Sequence, residues 1–230
     1  MIIELYGFDQ MQLARPSMNS VVDRRNFAQY HFHEAMDRWE QHLLDIKECD
    51  PIEVSLYLGD EETESLRQRR MKEFASHVQA CVQSLHAIPD IMAHVIYYGL
   101  ALNKVSPLEE RKVSARNIMK LLANDYSLKQ LEALFMSMSS DGDFVYLDAL
   151  NNHGKHRSLV TTAVWFDNSG QAEEPITIKF SEFNYDGIQH FPRDIRPVLT
   201  DEYGRIARSI VDCGIELWTI LGQRHKNGLT

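Results

Sequence analysis

The 230-residue sequence is poor in cysteine and has no apolar run long enough for a membrane helix. Its three cysteines, Cys49, Cys81 and Cys213, are scattered and form no CxxC motif, which excludes a zinc ribbon or a dithiol redox centre. The longest mostly apolar run covers residues 91–102, which is too short to cross a bilayer. The N-terminal residues lack the basic and apolar regions of a signal peptide. These absences predict a cytoplasmic protein that makes no contact with membranes.

An excess of positive charge is also missing. The chain has 24 Lys and Arg against 33 Asp and Glu, a net charge of −9. Such a chain is poorly suited to coating nucleic acid nonspecifically, because the phosphate backbone attracts Lys and Arg. The sequence also lacks a Walker loop, a GxGxxG motif and a GxSxG motif, which disfavours NTPases, dinucleotide enzymes and α/β-hydrolases. We therefore expect no cofactor, and we expect the acidic surface to suit a protein partner.

Apolar residues recur every three or four positions along most of the chain, which predicts five to six long amphipathic helices. The first helix is expected to begin at Asn19 or Ser20, after a weakly patterned segment 1–19 that forms an arm or an edge strand. The second begins in an acidic run and passes Pro89, either as one kinked helix or as two stacked helices. Helix ends are predicted at Asp50-Pro51 and at a break at Asp141-Gly142. Helix starts are predicted at Ser106-Pro107, at a capping box from Ser127 to Gln130, and at Phe144, from which a helix runs to about Gly154.

The period changes to two after residue 157. Residues 158–166 and 175–185 are rich in β-branched and aromatic side chains, and Asn168-Ser169-Gly170 between them is typical of a turn. The chain is therefore predicted to be mainly α. We expect a single helical bundle, one domain over 1–230, with a β-hairpin at 158–185 inserted before the last helix. Six residues are predicted to lie in its core, namely Trp39, Phe74, Leu85, Leu131, Ile210 and Leu217.

One segment concentrates polar and ionisable side chains where the fifth helix is expected to meet the hairpin. His156 is a candidate proton donor or acceptor, Lys155 and Arg157 are candidate phosphate contacts, and Asn152 is a candidate orienting group. Three further residues are candidate substrate contacts, namely Asp148, Asn151 and His153. The alternative is that these cations merely complement the dipole at a solvated helix C-terminus. Histidine pairs at helical spacing also occur, but none completes the three or four ligands of a zinc site, so no metal is predicted.

The same segment resembles a known family. Residues 144–160, FVYLDALNNHGKHRSLV, resemble the YLDAxxNxxKHRxLV pattern of uncharacterised bacterial HEPN-like proteins. Residues 77–94, HVQACVQSLHAIPDIMAH, resemble the long central helix of that family, and the resemblance covers about residues 65–160. It implies a helical bundle, often a homodimer, and in many members a metal-independent ribonuclease of toxin or phage-defence systems. The two KHR segments are then expected near the two-fold axis.

The family's catalytic signature is an arginine followed by a histidine four to six residues later, and this sequence departs from it. Asn151 and Asn152 precede His156, and Arg157 follows it. Formal Arg–His pairs occur elsewhere, at Arg25 with His31 and at Arg70 with His77. Two interpretations stay open. One is a HEPN-like ribonuclease or RNA-binding effector that uses the KHR segment, and the other is a non-catalytic protein–protein interaction module of the same fold.

Overall fold

The protein is mainly α-helical. The structure, a computed structural model, describes residues 1–48, 61–140, 142–167, 169 and 171–228. Eight α-helices lie in these ranges: α1 (Ile2–Tyr6), α2 (Phe8–Glu48), α3 (Glu61–Gly99), α4 (Leu102–Val105), α5 (Ala115–Ala123), α6 (Lys129–Ser140), α7 (Gly142–His156) and α8 (Ile195–Lys226). Short 3-10 turns at Glu110–Lys112 and Tyr126–Leu128 precede α5 and α6. The predicted fold class, with β structure before the last helix, is confirmed.

The N-terminal segment is helical, so the expected edge strand at 1–19 and the expected start at Asn19 or Ser20 are wrong. α2 begins at Phe8 and continues through Pro16. Between residues 14 and 35, its buried residues are alanine and valine seven positions apart, which a search for large apolar residues does not find. These residues are Ala14, Val21, Ala28 and Ala35, all at most 4% exposed. The predicted helix end at Asp50-Pro51 lies outside the described residues, as does the break at Asp141.

Two other predicted helix starts differ from the structure. Residues 107–109 are not helical, and α5 begins at Ala115, where the Asp90 carboxylate accepts a hydrogen bond from the Ala115 N–H at 2.8 Å. The capping box at Ser127 is also absent, because Asp125 takes that role and accepts from the N–H and the hydroxyl of Ser127. The short polar motifs therefore lie near helix starts, but other residues occupy the capping positions. The second long helix, α3, is one continuous element through Pro89.

The predicted hairpin is present and belongs to a larger β region. Strand β1 (Thr162–Phe166) pairs antiparallel with β2 (Ile176–Phe180), with Thr162 opposite Phe180 and Phe166 opposite Ile176. The expected strand 175–185 is divided, because β3 (Phe183–Tyr185) pairs with β4 (Ile188–His190) instead. A short β5 (Arg193–Asp194) adds to the other edge of β2. Asn168 and Gly170 of the predicted turn lie outside the described residues.

Two compact units emerge from the packing. The first unit comprises Met1–Asn26, Ser84–Val145 and Glu202–Thr230, and the second comprises Phe27–Gln83 and Tyr146–Asp201. Helices α2, α3, α7 and α8 contribute residues to both units, and the assignment of one domain to 1–230 stays a prediction. Five of the six predicted core residues are confirmed as buried. The exception is Ile210, which is half-buried.

Candidate functional site

The last turn of α7 presents the KHR segment at the surface of the second unit. Lys155, His156 and Arg157 are all exposed. Within the described part of the chain, neither Lys155 nor His156 makes a hydrogen bond or an ion pair, whereas Arg157 donates to the backbone carbonyl of Asn184 at 3.3 Å. Arg157 is therefore directed to β3, while Lys155 and His156 extend into solvent.

The other predicted site residues of α7 are held in separate interactions. The Asn152 amide donates to the Asp148 carboxylate at 2.9 Å, one helical turn away. The His153 Nδ1 lies 2.6 Å from the Ser158 carbonyl oxygen, and its ring meets the Phe183 ring edge to face. That carbonyl requires a proton on Nδ1, so Nε2 is the acceptor of the neutral ring. These contacts fix the helix end and the turn after it.

Asn151 is fully buried. Its side chain is 0% exposed, and neither its Nδ2 nor its Oδ1 has a hydrogen-bond partner among the described residues. A side chain in that position does not reach a substrate that approaches from solvent. The structure thus brings Asp148 and Asn152 together, buries Asn151, and directs His153 and Arg157 to different backbone carbonyls. The seven predicted residues do not share one open cleft.

The two formal Arg–His pairs do not form either. Arg25 donates to the Tyr203 hydroxyl at 3.0 Å in the first unit, and Arg70 forms an ion pair with Asp45 in the second. Instead, His31 of α2 and His77 of α3 contact each other, with 3.0 Å between their Nδ1 atoms. Burial lowers the pKa of His31, and the neighbouring His77 lowers it further, while Glu34 acts in the opposite direction.

The His31–His77 contact is part of a polar ladder that joins α2 to α3 in the second unit. Its α2 residues, His31, Arg38 and Asp45, are seven positions apart, which is the period of a helix pair that packs side by side. Arg38 bonds Glu73 at 3.1 Å, and Asp45 pairs with Arg70. Hydrogen bonds and charge from Arg69 and Arg38 lower the pKa of Glu73. Each α2 residue of the ladder has a partner on α3, so the contact between the two helices explains why these polar residues lie there.

An apolar groove lies in the first unit, and the sequence did not predict it. It encloses about 490 Å3 and is lined by segments of α1, α2, α3 and α8. No charged side chain stands among its lining residues, all of which the structure describes. Representative lining residues are Met18 and Val22 of α2, Met92 and Val95 of α3, and Gly214 and Trp218 of α8.

The rim of this groove exposes large apolar side chains. On α8, Val211, Ile215 and Trp218 are 57%, 61% and 64% exposed, and they lie on one face because they are four and three residues apart. Val22 of α2 and Ile3 of α1 are also about half exposed. Trp218 belongs both to the groove lining and to this α8 stripe, so the stripe adjoins the groove. We call the exposed lining and the stripe together the groove face and define it by Ile3, Val22, Val211, Ile215 and Trp218.

A sequence signal for the groove face does exist. Helix α8 carries two apolar stripes, one through Ile206, Cys213 and Leu217 that is buried, and one through Val211, Ile215 and Trp218 that is exposed. A helix with apolar residues over so much of its circumference is expected to be covered on more than one side. The second stripe is not covered by any of the residues that the structure describes.

Neither a metal cluster nor a membrane span is evident in what the structure describes. No group of three or more His, Cys, Asp or Glu side chains is arranged there to hold a metal ion. None of the described helices has an apolar stretch long enough to traverse a bilayer. No family of known proteins, no characterised protein and no solved structure matches the chain. The HEPN-like resemblance therefore stays a prediction.

Proposed function

We propose that this protein is a non-catalytic protein–protein interaction module whose binding surface is the groove face of the first unit. The observation that carries the proposal is that Trp218 belongs both to the apolar groove and to the exposed stripe of α8. Monomeric proteins rarely expose contiguous apolar patches larger than a few hundred Å2, and larger patches mark interaction sites. A groove between helices is also the surface that accepts an apolar helix.

A small-molecule site is a poorer description of the same groove. Such sites enclose most of their ligand and orient it with a few polar groups. Here the described lining offers methionine, branched aliphatic side chains, glycine and one tryptophan, and none of these side chains has a carboxylate, amide, hydroxyl or cationic group. Flexible methionines such as Met18 and Met92 suit a protein surface that adapts to an apolar partner.

The test places a photo-crosslinking amino acid at Ile215 and, as a control, at Met136 of α6, which is 50% exposed in the same unit but lies outside the groove. We expect discrete crosslinked species in cells from position 215 and none from 136. The crosslinks should disappear when Gly214→Phe fills the groove, because a Cβ at Gly214 meets open space and the chain itself tolerates the change. Equal crosslinking from both positions contradicts the proposal.

RNA cleavage at the KHR segment is the second candidate function. The exposure of Lys155 and His156 favours it, since both side chains are free to meet a phosphate within the part of the chain that the structure describes. This candidate function includes the expectations of a HEPN-like ribonuclease, a cytoplasmic location and a role in a toxin or defence system. The dispersed contacts of Asn152, His153 and Arg157 weigh against catalysis.

A cleavage assay on total RNA separates the two functions. If His156 transfers a proton, His156→Ala lowers the cleavage rate by roughly 10²–10⁴-fold, and Arg157→Lys impairs it as well because lysine lacks the planar fork. Arg25→Ala is the control, since Arg25 is bonded to Tyr203 in the other unit. No cleavage by the wild-type chain leaves the interaction module as the function.

A further inference from the structure

We infer that the occupant of the groove face is the groove face of a second copy of this chain, related by a two-fold axis that passes near Gly214. This inference rests on the proposed function and names its partner. A two-fold contact requires one patch that is complementary to itself. The groove face meets this requirement, because it presents a concave part, lined by Met18, Val22 and Met92, beside a convex stripe on α8.

The α8 stripe itself has the form of the helix that the groove needs. An apolar helix binds in a groove through residues at spacings of three and four. Val211, Ile215 and Trp218 provide such a set, and the middle of this span lies between Gly214 and Ile215. If two copies of α8 cross antiparallel at Gly214, Val211 of each copy approaches Trp218 of the other. Gly214 permits a close crossing, since no atom of its own chain lies within 4 Å of where a Cβ would be.

The exposed area is sufficient for a specific contact. The five residues that define the groove face are between 51% and 64% exposed. Given about 150–250 Å2 for a large aromatic side chain and somewhat less for aliphatic ones, they expose roughly 600 Å2. Two copies then bury on the order of 1,200 Å2, which is the lower end of the range for stable specific interfaces.

The charge distribution also permits two copies to meet here. Residues 1–26 and 202–230, which provide α1, the start of α2 and most of α8, contain seven Lys and Arg and six Asp and Glu. Their net charge is +1, whereas the whole chain carries −9. The acidic excess therefore lies on other segments. Two copies that meet through these helices are not opposed by the repulsion that the total charge suggests.

The test is sedimentation velocity on the full chain from nanomolar to high micromolar concentration. We expect a concentration-dependent dimer whose dissociation constant rises by at least about 100-fold in Ile215→Glu, because a carboxylate is then buried without a partner. Gly214→Phe should weaken the dimer by obstructing the crossing. Met136→Glu is the matched control and should leave the dimer unchanged. Circular dichroism checks that each variant keeps the helical fold.

A charge-exchange experiment identifies the partner as a second copy. Ile215→Glu and Ile215→Lys should each be monomeric, and an equimolar mixture of the two should restore a dimer, because opposite charges then meet near the axis. A wild-type chain that stays monomeric at high micromolar concentration overturns the inference. If crosslinks from Ile215 to another protein persist in cells, the interaction function survives that failure. If both are absent, the proposed function fails as well.

Discussion

At the scale of single residues, the His31–His77 contact makes stability depend on pH. Only one of the two facing Nδ1 atoms can carry a proton, because protons on both would place two N–H donors against each other 3.0 Å apart. Burial and His77 hold the folded-state pKa of His31 below its ordinary value of 6.5. The unfolded chain therefore binds more protons below pH 6.5. The stabilisation is complete above that pH and is lost as the pH falls through the folded-state pKa.

Urea unfolding between pH 8 and pH 5 tests this expectation. The free energy of unfolding of the wild-type chain should fall more steeply below pH 6.5 than that of His31→Asn, which cannot take up the proton. Comparison with the variant removes the contributions of groups that titrate in both chains. Parallel curves for the two proteins would show that the histidine contact does not respond to pH.

The cysteines give a second prediction at this scale. Burial raises the pKa of the Cys81 and Cys213 thiols to about 12, with Asp212 adding to the effect at Cys213. Because the thiolate is the reactive form, neither should react with a chromogenic disulfide reagent at pH 8 in the folded chain. In a Cys49→Ser background we expect two thiols to titrate only after denaturant is added. Rapid reaction of both in buffer would contradict their burial.

The residue scale is also where sequence reasoning about the site reached its limit. Composition identified the polar cluster from Asp148 to Arg157. It did not show that the Asn151 side chain is buried in the interior while the Lys155 side chain is exposed to solvent. That difference follows from which face of α7 packs on its neighbours. Gln79 of α3 marks that face, because its side-chain nitrogen lies 3.1 Å from where a Cβ on Gly154 would be.

At the scale of elements, Arg205 of α8 joins α8 to α6 within the first unit, and it also forms an ion pair with the buried Glu202 of its own helix. Glu202 is 0% exposed and accepts two hydrogen bonds from Arg205, at 2.6 and 2.8 Å. Arg205 also donates to the carbonyls of Ser137 and Met138 in the last turn of α6, at 2.8 and 3.0 Å. One guanidinium therefore neutralises a buried carboxylate and satisfies carbonyls that a helix end leaves without intrahelical donors.

Arg205→Ala is expected to lower the free energy of unfolding by about 3–5 kcal/mol, because it leaves the Glu202 charge buried without this partner. Arg205→Lys should recover only part of the loss, since an ammonium cannot match the fork of contacts. Urea denaturation measures both. Arg208→Ala is the control, because Arg208 is exposed and bonds only the Gly204 carbonyl among the described residues. Similar losses at 205 and 208 would show that the ion pair contributes little.

Elements were predictable where large apolar residues mark them. The seams of α3, α6 and α7 contain Phe74, Leu131 and Leu147, and their positions followed from helical periodicity. The start of α2 did not, because its seam uses alanine and valine at a seven-residue interval. Small residues give a weak pattern although they permit close packing. The predicted strand 175–185 was divided for a similar reason: periodicity does not reveal where a strand changes its partner.

At the scale of the whole molecule, the sequence predicted the helical class and the inserted β structure but not the surface that matters most for the proposed function. The net charge suggested an acidic interaction surface. The surface that we propose for interaction instead includes segments with a net charge of only +1. Apolar residues such as Ile215 and Trp218 resemble core residues in a sequence, and only the packing shows that the described part of the chain leaves them exposed.

The proposed function requires that a partner covers the groove face in cells, and the rate of thiol labelling at Ile215→Cys measures that cover. In a Cys49→Ser background, the buried Cys81 and Cys213 leave the new thiol as the reactive one. We predict that a maleimide labels Ile215→Cys slowly in intact cells and labels Met136→Cys rapidly. Labelling at 215 should become rapid when Gly214→Phe is added. If Ile215→Cys without Gly214→Phe is labelled as rapidly as Met136→Cys, no partner covers the groove face and the proposed function is contradicted.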